Sequence, residues 1–275
     1  MEKLLKIIFA VTVIAVVASC GSSDTGQLVG VFDRPAWKGI NPYGMVYVPS
    51  GTLHIGQSDQ DVQNTFVQRP MSISIQGFYM DDTEITNNEY RQFVYWVRDS
   101  IAHSYLDHYI EDDDGNQRID WEYEVDWTDE TLDDLYYQGD DQFAGKKEMN
   151  TAKFEFEYEW YDWKRAAHAN SNWQETQTEG GPARNSFINR ETVNIYPDTL
   201  CWVRDYAYSY NEPMTRNYFW HPAFDDYPVV GVNWKVANAF CYWRSKIWDT
   251  YQSQRKDGVN TEVFRLPTEL SLIHI

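Results

Sequence analysis

The feature that most constrains this chain is its aromatic load. It holds 12 Trp, 20 Tyr and 13 Phe among 275 residues. Each such ring buries a large area, and Trp and Tyr carry a polar tip that needs a partner once it leaves water. Side chains of that size do not repeat easily along an idealised bundle. They favour an irregular, loop-rich core in which rings meet edge to face. With 43% hydrophobic residues, the chain has enough apolar material for a core, and general disorder is excluded.

Charge narrows the functional classes. The formal net charge is −19, which argues against nucleic-acid binding, since that needs a basic face. Between Asp107 and Glu148 there are 16 acidic and 3 basic residues, so this segment carries −13 of the total. Acidic blocks are ordinarily solvated faces; a docking surface for a basic partner is the functional alternative.

The N-terminus reads as an export signal. Lys3 and Lys6 precede an apolar run from Ile7 to Ala18, and Ala18-Ser19-Cys20 follows. Charge, apolar stretch and small residues in that order mark a secretory signal. The run is too short to span a bilayer, which takes about 20 residues. Val17-Ala18-Ser19-Cys20 resembles the bacterial lipobox, which implies cleavage before Cys20 and acylation of that residue. Acyl chains anchor a protein through about 0.8 kcal/mol per buried methylene. The expected organisation is a signal peptide over 1–19, a lipidated tether over 20–40 rich in Gly, Ser and Asp at its start, and a domain over 41–269.

Within the domain, Met45 to Gly56 predicts two short strands joined by a tight turn at Pro49-Ser50-Gly51. Ile73 to Met80 predicts another strand. Thr86 and Glu89 form a capping box, and Tyr90, Phe93, Val94 and Val97 give the following helix one apolar face. The acidic, aromatic stretch from about 100 to 181 reads as an insertion with helix or strand of its own; Glu155 to Trp160 alternates within it. Val193–Tyr196, Thr199–Val203 and Pro228–Val232 predict strands. Asn233 caps a helix whose stripe is Val236, Phe240, Trp243 and Ile247. Phe264 to Glu269 predicts a strand leading into a Thr268 cap. The last six residues, Leu270 to Ile275, match what a common transposon-based sequencing adapter encodes in frame. They are expected to be read-through rather than a natural tail, with the protein continuing beyond them.

Chemical motifs are sparse. There is no Gly-rich phosphate loop, no C-x-x-C and no H-E-x-x-H. Asp112, Asp114 and Asn116 have the 1-3-5 spacing of a calcium loop. Gln117 stands where the loop needs Gly, however, and Tyr123 where it needs a bidentate Glu. His103 and His108, five apart, fit one helix face poorly. His221, before Pro222, reads as a packed or hydrogen-bonded residue. Cys201 and Cys241 could form a disulfide in an oxidising compartment or remain buried thiols. No cofactor is expected, and nothing in the residues requires catalysis.

Four segments in order resemble the formylglycine-generating, sulfatase-modifying family. Met45 to Gly56 is similar to its M-v-x-V-P-x-G-x-F-x-M-G opening. Phe78-Tyr79-Met80-Asp81 with Glu84-Ile85-Thr86, Tyr90 and Phe93 is similar to F-x-i-D-x-x-E-V-T-x-x-x-Y-x-x-F. Tyr227 to Trp243 resembles h-P-V-v-x-V-x-W-x-x-A-x-a-y-C-x-W, and Phe264 to Glu269 the start of R-L-P-T-E-A-E-W-E. The resemblance implies an α+β fold, related to C-type lectins, with much irregular structure. The lipobox, the acidic insertion, Tyr196 to Trp202 and Tyr218 to Pro222 resemble one branch, the gliding-motility lipoproteins (GldK/PorK) of the type IX secretion system. That branch implies a structural, non-enzymatic outer-membrane lipoprotein on the periplasmic side. It implies self-association in a ring with a GldN/PorN-type partner and other secretion components. The alternatives are a formylglycine-generating oxidoreductase and a carbohydrate-binding surface lipoprotein. The family's oxidising cysteine pair is expected in the C-terminal part of the domain, beyond where this chain ends; Cys241 matches the cysteine of the W-x-x-A motif instead.

Overall fold

The computed structural model describes residues 41–56, 69–111, 115, 117–169, 184–208, 212–255 and 263–274. The segments expected to be a signal peptide and a tether, 1–19 and 20–40, lie outside them. The architecture mixes helices with four separate two-stranded antiparallel sheets, in agreement with the α+β expectation.

The opening strands, β1 (Val46–Val48) and β2 (Gly51–Ile55), exist but do not form the expected hairpin. β1 pairs with β4 (Phe78–Met80), and β2 with β3 (Met71–Ile75). The single strand expected over 73–80 is therefore two. Its break falls at Gly77, where an added Cβ would lie 2.4 Å from the Tyr47 hydroxyl. A residue without a side chain lets the chain leave one partner and join the other.

Helix α1 (Asn87–Tyr105) begins as the sequence dictates. The Glu89 amide donates to Thr86 Oγ1 at 3.3 Å, and the Thr86 amide donates to Glu89 Oε2 at 2.8 Å. Two otherwise orphaned donors are satisfied reciprocally. Helix α4 (Trp234–Ser253) is capped by Asn233, whose side chain accepts from the Val236 amide at 3.0 Å. Between α1 and α4 come β5 (Tyr109–Glu111), β6 (Gln117–Ile119), β7 (Glu155–Tyr161), the short helix α2 (Trp163–Ala169), β8 (Ile188–Asn194) and the short helix α3 (Cys201–Asp205). Helix α5 (Glu269–His274) follows Thr268, whose hydroxyl accepts from the Ser271 amide at 3.3 Å.

Three expected strands are absent. Cys201–Asp205 is helical because Asp198 Oδ1 accepts from the Leu200 amide at 3.0 Å, turning the chain into a helix start. At Pro228–Val232 only an isolated bridge, Thr86 to Pro228, is made. Gly231 there has φ +84, a left-handed value that no strand continues through, and its carbonyl accepts from the Asp198 amide at 2.9 Å. Phe264–Thr268 has no strand partner; the Phe264 amide donates instead to Ser245 Oγ at 2.9 Å.

The core joins α1, β7, β8 and α4. Tyr90, Phe93, Val94 and Val97 of α1 meet Tyr158, Val193, Ile195 and Phe219, and Val236, Ala239 and Phe240 of α4. The rings pack tilted or edge to face: Phe93 lies 5.2 Å from Phe156 at 89° and 5.8 Å from Phe240 at 72°. The fully buried Tyr90 hydroxyl donates to the Ile195 carbonyl at 2.6 Å, so the polar tip finds its partner. Strand β7 lies within the segment read as an insertion, yet its Tyr158 face belongs to this main core.

Two arginines tie distant loops to the helices. Arg244 of α4 grips Asp81 through both nitrogens, at 2.6 and 2.7 Å, and lies over the Tyr43 and Phe264 rings, which touch each other. Arg91 of α1 pairs with Asp225 and donates to the Phe219 carbonyl.

Candidate interaction surface

The acidic segment after α1 is built onto the core by two devices. The first is apolar. Leu132 and Leu135, in a 3-10 turn over Glu130–Leu135, are buried against Ala102 of α1, with Val125, Trp127 and Tyr136 at the margin. The second is aromatic. Trp121 stacks on Trp96 of α1 at 5.5 Å, and Trp96 leads inward to Phe156 and Trp243. Arg98 sits over both Tyr95 and Trp127, its charge centre 4.7 Å from each ring centroid. Such cation–π contacts join the segment to the helix without covering its outer face.

Several of the carboxylates are turn-makers. Asp126 accepts from the Thr128 amide and hydroxyl, and Asp129 does the same for Thr131. These hydrogen bonds hold both carboxyls below the ordinary carboxylate range. Asp134 is lowered by Lys153, which bonds it and attracts it. Lys147 pairs with Asp133 at 2.7 Å and lies over the Tyr136 ring. Glu122, Glu124, Glu130, Asp140, Asp141 and Glu148 remain exposed.

Several rings of the same stretch and of β7 and α2 after it are exposed. Phe143 is 74% exposed and Trp163 73%. Trp121, Tyr123, Trp160 and Tyr161 are also open to solvent. Trp160 stacks on Tyr158, and Tyr161 lies 5.3 Å from Trp163.

Of the residues singled out in the sequence, Cys20 lies outside the described residues, as do Asp112, Asp114 and Asn116. The segments flanking the latter pair as strands, Glu111 opposite Gln117; an EF-hand loop joins two helices. Among the described residues no group of three or more His, Cys, Asp or Glu is placed to hold a metal ion, and no helix is long and apolar enough to cross a membrane. Cys201 and Cys241 are free thiols. Burial pushes the Cys241 thiol up to about 11 and raises that of Cys201 as well. His221 accepts from the Ala223 amide at 3.1 Å and caps a 3-10 turn, as expected for a hydrogen-bonded residue.

One pair was missed. His103 and His108 meet, Nδ1 to Nδ1, at 3.1 Å. Helix spacing separates them only while the helix lasts. It ends at Tyr105, and Asp107, at φ +54, folds His108 back. An Asp just beyond a helix end, tolerant of the left-handed region, was the available signal.

Residues 34–272 match the model of the sulfatase-modifying factor enzyme 1-like domain. The chain belongs to that family. No curated protein and no solved structure matches it. Family membership accounts for the order of the four motif segments. Tyr90 and Phe93 of α1, Val236, Ala239 and Phe240 of α4, and Asp81, whose partner Arg244 directly follows the third segment, all fall in them. Fold membership alone does not assign chemistry.

Proposed function

We propose that this protein is a structural, lipid-anchored subunit of the GldK/PorK type. In this reading it is held at the periplasmic face of the outer membrane through Cys20 and assembles in the ring of the type IX secretion and gliding machinery. The observation that carries the reading is the surface of the segment over 107–163. It exposes Phe143, Trp163, Tyr161 and Tyr123, in a stretch whose Glu122, Glu124, Glu130, Asp140, Asp141 and Glu148 are exposed as well. Exposed large rings mark contact surfaces, aromatics are enriched at interface centres, and the carboxylates select a basic partner of the GldN/PorN type and steer its approach. Self-association in a ring would draw on the exposed rings and not on the carboxylates, because a second copy carries the same negative segment.

Family membership favours a second reading, a formylglycine-generating oxidoreductase. That chemistry belongs to a cysteine pair in the C-terminal part of the domain, which Cys201 and Cys241 do not supply, and a paired cysteine in downstream sequence would favour it. The third reading, a carbohydrate-binding surface lipoprotein, rests on analogy with lectin-like domains.

The test is to extract outer membranes in mild detergent and size the complex that contains this chain. The structural reading expects a high-mass assembly holding many copies and a basic partner. A purely monomeric, lipid-anchored chain contradicts it. Aldehyde formation on a cysteine peptide by the purified protein would favour the enzyme.

A further inference from the structure

The contact between His103 and His108 is one that the proposed role does not use. His103 is buried near the end of α1, and His108 is half-buried just beyond it. At 3.1 Å between the two Nδ1 atoms, one ring must carry its proton on Nδ1 and donate, while the other presents Nδ1 as acceptor. The pair thus holds together with a single proton between the two nitrogens. Protonating both rings leaves two donors face to face and two positive charges in contact.

The surroundings make this contact a junction. The His108 amide donates to the His103 carbonyl at 3.1 Å, and the His108 carbonyl accepts from the Asp120 amide at 3.0 Å. The His103 ring meets Trp121 edge to face at 5.2 Å, and His108 stacks on Tyr123 at 5.0 Å. Trp121 in turn stacks on Trp96, which reaches the core. One pair of imidazoles therefore joins the end of α1, the start of β5 and the residues after β6.

We infer that the His103–His108 pair is an acid-sensitive latch, which fastens the segment after α1 to the core and releases it when both rings are protonated. The groups facing it are few. Burial and His108 hold His103 below the ordinary histidine value of 6.5, while Asp99 on the preceding turn and Asp120 after β6 pull the other way. From the 3-10 turn packed against α1, Asp133 and Asp134 are engaged by Lys147 and Lys153. The sign follows. A histidine held low in the folded state makes the unfolded or released form bind more protons in the window below 6.5. The latch is complete above that value and weakens as pH falls through it towards the folded-state titration.

The experiment is amide hydrogen exchange on the mature protein across mildly acidic pH, corrected for intrinsic rates, with Trp emission alongside. Protection at Leu106, His108, Tyr109 and Asp120 should be lost reversibly on acidification, while Tyr90 and Ala237 in the two long helices keep theirs. In His108→Asn the side-chain oxygen can accept from a protonated His103. The acid response of those four amides should shrink, and the His103 ring should titrate closer to 6.5, with the part owed to burial remaining. His108→Gln serves if the first variant does not fold. Protection that is independent of pH in the wild type overturns the latch without any variant. So does an acid response that persists unchanged in either variant.

Discussion

Asp81 and Arg244 form the ion pair with most at stake. The Arg244 side chain is 11% exposed and Asp81 28%, so removing the acid strands a guanidinium that water reaches poorly. Breaking such a pair costs more than the pair contributes, about 3 kcal/mol for buried examples. Asp81→Asn should therefore lower the denaturant midpoint, with a loss of about 2 kcal/mol after discounting for partial exposure. Tyr90→Phe keeps the ring and removes the hydroxyl from the Ile195 carbonyl. It should cost about 1–2 kcal/mol, read the same way, because a buried acceptor is left unpaired. Gly231 is a third sensitive position. An added Cβ would stand 2.3 Å from the Asp198 carbonyl oxygen at a positive φ. Gly231→Ala should destabilise more than either. Of these residues, Tyr90 was legible in the sequence as a core position. The partners of Asp81 and Gly231 were not, since they lie 163 residues away in one case and in an irregular loop in the other.

Helices were legible as elements because their evidence is local. The Thr86–Glu89 box and the Asn233 cap can be read from adjacent residues, and a 3.6-residue stripe identifies the buried face. Thr86→Ala should lower stability by about 1 kcal/mol and loosen the first turn of α1, measured by amide exchange there. Strands were less legible because each sheet has two strands, so partners decide what alternation cannot. The pairing of β1 with β4, not β2, and the break at Gly77 depend on Tyr47 meeting a residue thirty positions on. The acidic segment shows the same limit. Its charge was plain, but the role of Asp126 and Asp129 as turn-formers emerges only with Thr128 and Thr131 folded back onto them. Both carboxyls are lowered in the folded state, so their contribution is present above the unfolded value of 3.8 and is lost as pH falls through the folded one. Far-UV and near-UV spectra recorded through strong acid should show these turns failing below pH 3.8, separately from any histidine step at milder pH.

At the scale of the whole molecule, aromatic abundance pointed to an irregular, loop-rich core, the order of the motif segments resembled one α+β family, and the match over residues 34–272 shows that family. The proposed function rests on two proposed contacts: a lipid at Cys20 and the acidic segment with its exposed rings. The surface part has its own check. Replacing Phe143 and Trp163 with serine should leave stability nearly unchanged, since both are largely exposed, while reducing the share of the chain recovered in high-mass complexes. The anchor is tested most directly by fractionating cells that carry Cys20→Ser as their only copy. The account predicts that the chain leaves the outer membrane for the soluble periplasmic fraction and that type IX export and gliding fail. A variant that still sediments with the membrane and supports export at normal levels would contradict it.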